Sequence, residues 1–441
     1  MCALACLLVY LVCAHWYGIA NADSVAAAWP AHEFATRGTF YLEQASRPDN
    51  PWFTQQGEHV VSNRMPGVIL VAIPLQFVMQ PLGVSPLTPA VLTAVVLTSL
   101  AVANLCLVMT RCGIPAPTAL TMAAALAFGT GLWPNASAEL WTHGPDAFWL
   151  SLALLAFQRN RQWWAGLALA PAIMTRPHLA LPAAVIGAAL AMERRSLRPL
   201  YRVGLPASLG LGTLVLWNSV MFAAPSVGGG YTYAGPRIAD SSPSAWAAMF
   251  DSAMGSLVSP IRGLLVFSPF VIVAIMAAWR GLHGAPGWAR GAAVGGLAYQ
   301  VVQWRVNSFE GGTGYYSYRL PLELLVLALP LCALGYERLA ARAGVRRVTR
   351  FLVGWSIATH AVGVFWYQPL GRVSQERDPW RTWGLVDAAI SRGSAGTLLA
   401  GAVFVAVTSA CALRVSRPRC DPQDPRWAYE SSKPLSAAVP S

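Results

Sequence analysis

The stretch LTPAVLTAVVLTSLAVANLCLVM, residues 87–109, contains no charged side chain. An α-helix of roughly 20 predominantly apolar residues is long enough to cross the hydrocarbon core of a bilayer. Similar apolar runs recur along the chain of 441 residues, which is 55% hydrophobic and 11% charged, whereas soluble domains carry about 25% charged residues. Because lipid cannot satisfy backbone polar groups, we expect these runs to be helices. The sequence predicts an all-α polytopic membrane protein.

About twelve segments are predicted to cross the membrane, and residues 1–413 are predicted to form a single transmembrane domain. Residues 1–20 are interpreted as the first helix rather than a signal peptide, because they contain no basic n-region and further spans follow. Within the first outer loop, 21–86, the apolar segment 65–83 is interrupted by prolines and predicts helices at the membrane interface. The predicted spans are 1–20, 87–109, 117–134, 145–158, 163–175, 178–193, 203–223, 263–280, 290–304, 319–336, 351–367 and 395–413.

The distribution of charge gives this topology an orientation. The net charge is +12, and with the N-terminus inside, most Lys and Arg side chains fall on the inner loops while most acids fall outside. This asymmetry follows the positive-inside rule, so both termini are expected in the cytoplasm and no nucleic-acid partner is needed to explain the charge. The tail, 414–441, is rich in Pro and Ser and is expected to be a disordered cytoplasmic segment.

Asp23 follows the first apolar run directly, at the outer mouth of the predicted first helix. An ionisable group at membrane depth is costly, which makes such a residue a candidate functional group. An acid at a helix end in ordinary interfacial water accounts for the same position, so both interpretations stay open.

A second outer loop, 135–144, leads into the fourth predicted span and brings His143 and Asp146 to its outer end. We predict that both side chains line the same cavity as Asp23. The alternative is that Asp146 only stabilises the start of its helix, because an acid in the first helical turn is favoured by the helix dipole.

Five stretches in this order carry a family resemblance. They are ADSVAAAWPAHEFATRGTFYL (22–42), NRMPGVILVAIPLQFV (63–78), LWTHGPDAFWLSLALLAFQRNRQWWAGLALAPAIMTRPHLALPAA (140–184), SPIRGLLVFSPFVIV (259–273) and GGTGYYSYRLPLELLVLALP (311–330). With these stretches the chain resembles the GT-C superfamily of membrane glycosyltransferases, and especially its protein-mannosyltransferase and aminoarabinose-transferase branch with its bacterial relatives.

The resemblance implies a polyprenyl-phosphate-linked sugar as donor, an active site on the outer face of a bacterial inner membrane, and a catalytic aspartate just past the first span. Asp23 occupies that position and is predicted to be the general base. From their place at the end of the fourth predicted span, His143 and Asp146 are predicted to contact the acceptor or the sugar, with Asp146 as a second catalytic carboxylate. The family pattern places another acidic or polar residue directly after this aspartate, whereas this chain reads ADS. Since no partner acid is present, a metal-assisted reaction is not supported, and neither a metal nor another cofactor is predicted.

A leaving lipid phosphate calls for cationic groups, and the planar guanidinium of Arg suits a phosphate well. We predict that Arg319, helped by Arg262 and by Tyr316 and Tyr318, holds the phosphate of the donor. Arg176 and Arg305 are further substrate-binding candidates. Each of these arginines could instead extend to lipid head groups.

The sequence therefore predicts transfer of a sugar from a polyprenyl-phosphate donor to a glycan, lipid or protein acceptor, with membrane lipids as neighbours. Two other classes stay open: a polytopic transporter or flippase, and a ligase for lipid-linked saccharides. The chain shows no inverted repeat, and its polar residues concentrate in outer loops, which disfavours a transporter. A ligase of this kind usually concentrates its function in a late outer loop, whereas here the first loop is the long one.

Overall fold

The computed structural model describes residues 2–16, 21–45, 47–231, 234–312, 314–366 and 379–385. These residues are mostly helical, with one short antiparallel hairpin, β1 (Phe53–Gln56) and β2 (His59–Ser62). In chain order the helices are α1 (Cys2–Cys13), α2 (Ala22–Arg37), α3 (Pro66–Leu70), α4 (Ile73–Met79), α5 (Leu87–Arg111), α6 (Ala116–Phe128), α7 (His143–Gln158), α8 (Gln162–Thr175), α9 (Ala180–Arg194), α10 (Arg198–Phe222), α11 (Ala234–Ala239), α12 (Pro243–Val258), α13 (Leu264–Phe267), α14 (Phe270–Gly281), α15 (Gly287–Val306), α16 (Leu322–Ala340) and α17 (Ala343–Trp366).

Three helices within the described part of the chain, α5, α10 and α17, are long and apolar enough to cross a membrane. The shorter apolar helices are α1, α6, α14 and the segment from α3 to residue 82. These helices support the prediction of a helical membrane protein, while the count of twelve spans stays a prediction. The predicted span 395–413 and the tail 414–441 lie outside the described residues.

Predicted and observed helices differ where prolines or polar side chains interrupt an apolar run. Helix α6 ends at Phe128, before a turn of π-helix at Leu132–Ala136. The predicted span 263–280 is divided into α13 and α14 at Ser268, whose Oγ donates to the Gly129 carbonyl oxygen at 2.6 Å. Helix α16 begins at Leu322, so the predicted start of this span at 319 is three residues too early and Arg319 lies in the preceding loop.

Small residues allow the long helices to approach closely. Helix α8 packs against α10, and a Cβ atom added at Gly210 would lie 2.3 Å from the Ala170 carbonyl oxygen. At the other end of this contact, a Cβ at Gly166 would lie 2.5 Å from the Val203 carbonyl oxygen. Close backbone approach at small residues is the usual way in which helices associate in lipid.

The segment between α1 and α5, predicted from the sequence to be the first outer loop, folds onto the ends of the long helices. Helix α2 packs against α3, α4 and α5, around a cluster that includes Trp29, Leu42 and Ile69. Helix α3 contacts α8 so closely that a Cβ at Gly67 would lie 2.4 Å from the Thr175 backbone nitrogen. This packing fixes the N-terminus of α2, and Asp23 with it, relative to the helices.

Candidate functional site

Two segments, 139–146 and 315–323, organise the candidate site, and each consists of a loop and the first residues of the helix that follows it. Asn135 holds the second segment, because its Nδ2 donates to the Tyr316 carbonyl oxygen at 2.9 Å and its Oδ1 accepts from the Tyr316 backbone N–H at 3.2 Å. The buried Arg262 guanidinium donates to the carbonyl oxygens of Tyr315 (2.7 Å) and Ser317 (3.2 Å). Ser317 adopts a left-handed conformation with φ of 56°. These contacts hold Arg319 toward the first outer loop.

Asp23 lies in the first turn of α2, after the N-cap residue Asn21. The Asn21 side chain accepts from the Asp23 backbone N–H at 2.9 Å, and the Asn21 N–H donates to Glu139 Oε2 at 2.8 Å. The Asp23 carboxylate bridges two arginines: Oδ1 lies 3.1 Å from an Arg64 terminal nitrogen and Oδ2 lies 3.1 Å from an Arg319 terminal nitrogen. We call this arrangement the Arg64–Asp23–Arg319 bridge.

The bridge controls the protonation of Asp23. Burial by itself would raise the pKa of this carboxyl, but the positive charges of Arg64, Arg319 and, to a smaller extent, Arg176 outweigh it and hold the pKa below its ordinary value. Asp23 is therefore an ionised carboxylate at neutral pH, and it is 16% exposed. A carboxylate in this state can accept a proton.

Aromatic rings hold both arginines. The Arg64 guanidinium lies over Trp52 at 4.0 Å from the ring centroid, and the Arg319 guanidinium lies over Trp141 at 4.4 Å. Within the described part of the chain, the buried Arg64 Nε and one of its terminal nitrogens have no hydrogen-bond partner, and the same is true of Arg319 Nε. The bridge thus contains guanidinium N–H groups for which no described residue acts as acceptor.

A second group of ionisable side chains lies inside the protein, where α7, α8, α15 and α16 meet. The Arg176 Nε lies 3.3 Å from Asp146 Oδ2 and 3.8 Å from Glu323 Oε1, and a terminal nitrogen donates to the Tyr299 hydroxyl at 2.8 Å. His143 Nδ1 lies 2.7 Å from Glu323 Oε1. We call these residues, without Tyr299, the buried charge cluster.

The hydrogen bonds indicate how protons are distributed in this cluster. Arg176 can only donate, so His143 Nε2, 3.1 Å from an Arg176 terminal nitrogen, is an acceptor, and Nδ1 carries the proton donated to Glu323. The imidazole is then neutral, and two carboxyl groups face one guanidinium. One further proton makes the cluster neutral. Neither Asp146 oxygen accepts a hydrogen bond from a described residue, so Asp146 is the favoured carrier of that proton.

The predicted site residues occupy different depths. Asp23 and Arg319 are in contact at the partly exposed bridge, whereas His143 and Asp146 have no exposed surface. Arg176 is 13% exposed and joins the buried cluster to Thr142 on the loop, because its Nε donates to the Thr142 hydroxyl at 3.0 Å. His143 and Asp146 thus support the site from inside the protein, and their contact with an acceptor or sugar stays a prediction.

The remaining candidates make contacts within the protein. The Tyr316 hydroxyl donates to the Thr359 carbonyl oxygen at 3.0 Å, and the buried Tyr318 hydroxyl pairs with Ser268. Arg305 donates to the Ala245 carbonyl oxygen at 3.0 Å. These contacts and those of Arg262 hold loops in place. Binding of the donor phosphate or substrate by these residues stays a prediction.

Sequence reasoning did not assign Arg64 or Glu323. Arg64 follows Asn63 in the stretch NRMPG, and Glu323 lies four residues after Arg319 in YRLPLE. Both therefore lie in stretches that carry the family resemblance, which is the signal that could have selected them. Among the described residues, no group of three or more His, Cys, Asp and Glu side chains is placed to hold a metal ion.

Comparisons with known proteins add little to these observations. No protein-family model matches the chain, and a search of curated proteins finds no relative. The chain is similar to an archaeal oligosaccharyltransferase, AglB from Archaeoglobus fulgidus, solved with an inhibitory peptide and a dolichol-phosphate (11% identity, TM-score 0.45, covering 94% of this chain and 56% of that one). It is also similar to the Archaeoglobus fulgidus oligosaccharyltransferase tethered to an acceptor peptide (11% identity, TM-score 0.43, 89% and 55% covered). This chain thus spans little more than half the length of either, and similarity at this level leaves the function to be inferred from the site.

The buried charge cluster predicts a specific pattern of destabilisation. Arg176→Leu leaves Glu323 ionised and buried without a counter-charge, and loss of one partner of a buried pair costs about 3–5 kcal/mol. We expect a clear fall in the thermal unfolding midpoint of the purified protein, measured by tryptophan fluorescence. The double variant Arg176→Leu/Glu323→Gln should recover most of that loss, because it removes the uncompensated charge.

Arg290→Leu is the matched control. Arg290 lies 3.5 Å from Glu193 in a half-exposed pair, and exposed pairs contribute only about 0–1 kcal/mol. If Arg176→Leu and Arg290→Leu shift the midpoint equally, the interpretation of Arg176 as the central charge of the cluster is wrong.

Proposed function

We propose that the protein transfers a sugar from a polyprenyl-phosphate donor to an acceptor hydroxyl at the outer face of a bacterial inner membrane. The observation that carries this proposal is the Arg64–Asp23–Arg319 bridge. It holds one ionised carboxylate between two arginines that retain N–H groups for an anion. Sugar transfer from a lipid phosphate needs a proton acceptor and a phosphate ligand side by side, and the bridge supplies both.

The chemistry assigns a role to each member of the bridge. The acceptor hydroxyl oxygen attacks the anomeric carbon of the sugar, and Asp23 takes the proton from that hydroxyl. The bond between the anomeric carbon and the phosphate oxygen breaks, and its electron pair leaves with the polyprenyl phosphate. Attack opposite the leaving group inverts the configuration at the anomeric carbon. Asp146 stays a second catalytic candidate in this proposal, at a position where it would act through Arg176.

Arg64 and Arg319 stabilise the leaving group. Negative charge grows on the phosphate as the bond breaks, so donors already fixed in place bind it more tightly in the transition state than in the ground state. The rings of Trp52 and Trp141 keep both guanidinium groups in orientation. No general acid is required, because a phosphate leaves as an anion.

The bridge also implies a competition. Asp23 uses one N–H group of each arginine, and both of its oxygens lie at 3.1 Å from a guanidinium nitrogen. A phosphate that binds to the same arginines weakens their hold on Asp23 and makes the carboxylate a stronger base. Donor binding therefore precedes activation of the base.

A flippase or a saccharide ligase stays the alternative, since either could bind a lipid phosphate through the same arginines. Asp23 separates the classes, because transport of a lipid-linked sugar breaks no glycosidic bond and needs no general base.

Asp23→Asn tests the proposed reaction. The amide keeps the shape of the side chain but cannot accept the proton, so transfer should fall by roughly 10²–10⁴. The assay measures release of polyprenyl phosphate in proteoliposomes, from a panel of polyprenyl-phosphate monosaccharides incubated with glycan and lipid extracts. Asp251→Asn, which changes an exposed acid on α12, is the control and should retain wild-type turnover.

Near-normal turnover of Asp23→Asn would remove Asp23 as the base. Movement of an intact lipid-linked sugar across the vesicle, with no release by the wild-type protein, would support the flippase instead.

The competition predicts that the same substitution strengthens phosphate binding. Asp23→Asn frees both arginines from the carboxylate, so the affinity for a short-chain polyprenyl phosphate should rise several-fold. Arg64→Ala and Arg319→Ala each remove a charge-assisted hydrogen bond of about 1.5–3 kcal/mol, so each should weaken binding by roughly ten-fold or more. Microscale thermophoresis measures these affinities, and the uncharged polyprenol reports binding of the lipid chain alone.

Arg290→Ala is the control for loss of positive charge elsewhere on the protein. If Asp23→Asn weakens phosphate binding as much as the arginine variants do, then Asp23 serves only to hold the arginines and does not compete with the phosphate.

A further inference from the structure

A groove of about 420 Å³ lies in the first outer loop. Residues 47–51, which precede β1, form one side, and the β1–β2 hairpin forms the other. Its volume falls within the range of about 300–1,000 Å³ that is typical of small-molecule sites. Its wall carries side chains of mixed chemistry: Arg47, Asp49, Asn50, Phe53 and Gln55. The mechanism proposed above uses none of them.

The groove lies close to Asp23 and Arg64, because residues of its wall contact Ala22 or are adjacent in sequence to Trp52. Asn50 Nδ2 donates to the carbonyl oxygen of Ala22, the residue before Asp23, at 2.8 Å. Trp52, which lies between two residues of the groove wall, covers the Arg64 guanidinium that binds Asp23. A ligand in the groove therefore lies beside the N-terminal turn of α2.

The wall is held by its own hydrogen bonds. The Asn50 side chain accepts from the Trp52 N–H at 2.8 Å, and Arg47 Nε donates to the Leu42 carbonyl oxygen at 3.2 Å. The Arg47 guanidinium lies 5.1 Å from the centroid of the Phe53 ring. The groove is thus a built surface, in which polar groups keep fixed positions around an aromatic side chain.

The chemistry of the wall favours a neutral polyol. Arg47 and Asp49 carry opposite charges, so the wall has no net charge and would not select a free anion or cation. Guanidinium, carboxylate and amide groups are planar and can pair with neighbouring hydroxyl groups, which act as both donors and acceptors. An aromatic ring beside them packs against the apolar C–H face of a sugar ring.

We propose that this groove binds sugar rings of a saccharide acceptor and so delivers its reactive hydroxyl toward Asp23. The inference rests on the proposed function, because it names the chemical class of the acceptor. It assigns specificity to Arg47, Asp49, Asn50, Phe53 and Gln55, at a site separate from the phosphate ligands.

Saturation-transfer NMR on the full chain in lipid nanodiscs tests the groove directly. The probes are neutral trisaccharides, maltotriose and chitotriose, with hexaglycine as a peptide probe. We expect at least one trisaccharide to bind and hexaglycine not to bind. Phe53→Ala should weaken saccharide binding at least ten-fold, and Gln55→Ala, an exposed position where folding is not at risk, should weaken it measurably. Phe77→Ala, which removes a half-exposed ring on α4 in the same loop, should leave binding unchanged.

Asp23→Asn separates the inference from the function it rests on. Trisaccharide binding that persists in Asp23→Asn, while transfer is lost, supports both. If the wild-type protein binds the trisaccharides no better than Phe53→Ala and Gln55→Ala do, the groove is not the saccharide site. The transferase proposal still stands in that case. Binding of hexaglycine in place of the trisaccharides likewise overturns the saccharide site. Groove-dependent trisaccharide binding by a protein that releases no polyprenyl phosphate supports the saccharide site and overturns the transferase.

Discussion

A single guanidinium inside the helix bundle sets the arrangement of the candidate site. Arg176 lies where α8 ends, at a residue with extended backbone (φ −147°, ψ 107°) that precedes Pro177. A buried cation has to be compensated. The ionised Glu323 on α16 supplies the opposite charge, while Asp146 on α7 and the Tyr299 hydroxyl on α15 supply polar contacts. Four helices are therefore joined at one charge. Arg319 of the bridge lies four residues before Glu323. Trp141, whose ring packs against the Arg319 guanidinium, lies two residues before His143.

The Arg64–Asp23–Arg319 bridge and the buried charge cluster differ in how their charges are compensated. At the buried charge cluster, opposite charges neutralise one another inside the protein. At the Arg64–Asp23–Arg319 bridge, Asp23 and Arg319 are partly exposed and Arg64 is buried, and each arginine keeps at least one N–H group without a hydrogen-bond partner among the described residues. In the reaction that we propose, these N–H groups bind the phosphate of the donor. The buried charge cluster holds the loops in place. In the proposed reaction, the arginines of the bridge exchange the Asp23 carboxylate for the donor phosphate.

Sequence reasoning located most helices because an unbroken apolar run leaves the backbone few alternatives in lipid. It also placed the break between α8 and α9 at the stretch MTRPH, since Pro177 cannot continue a helix. It placed Asp23 at the outer mouth of the first apolar run, but not its two arginine partners. Arg64 and Arg319 reach Asp23 across 41 and 296 positions of the chain, and no local pattern encodes such contacts. Glu323 was missed for the same reason, because an acid at the start of an apolar helix resembles an ordinary first-turn residue until His143 and Arg176 are placed against it.

The central claim is that Asp23 and a lipid phosphate compete for the same two arginines. Cryo-electron microscopy of the full chain in lipid nanodiscs, with and without a short-chain polyprenyl phosphate, tests it most directly. The account predicts phosphate density between Arg64 and Arg319, and an Asp23 carboxylate separated from at least one of them. Phosphate bound elsewhere, with both Asp23–arginine contacts intact at 3.1 Å, would contradict it.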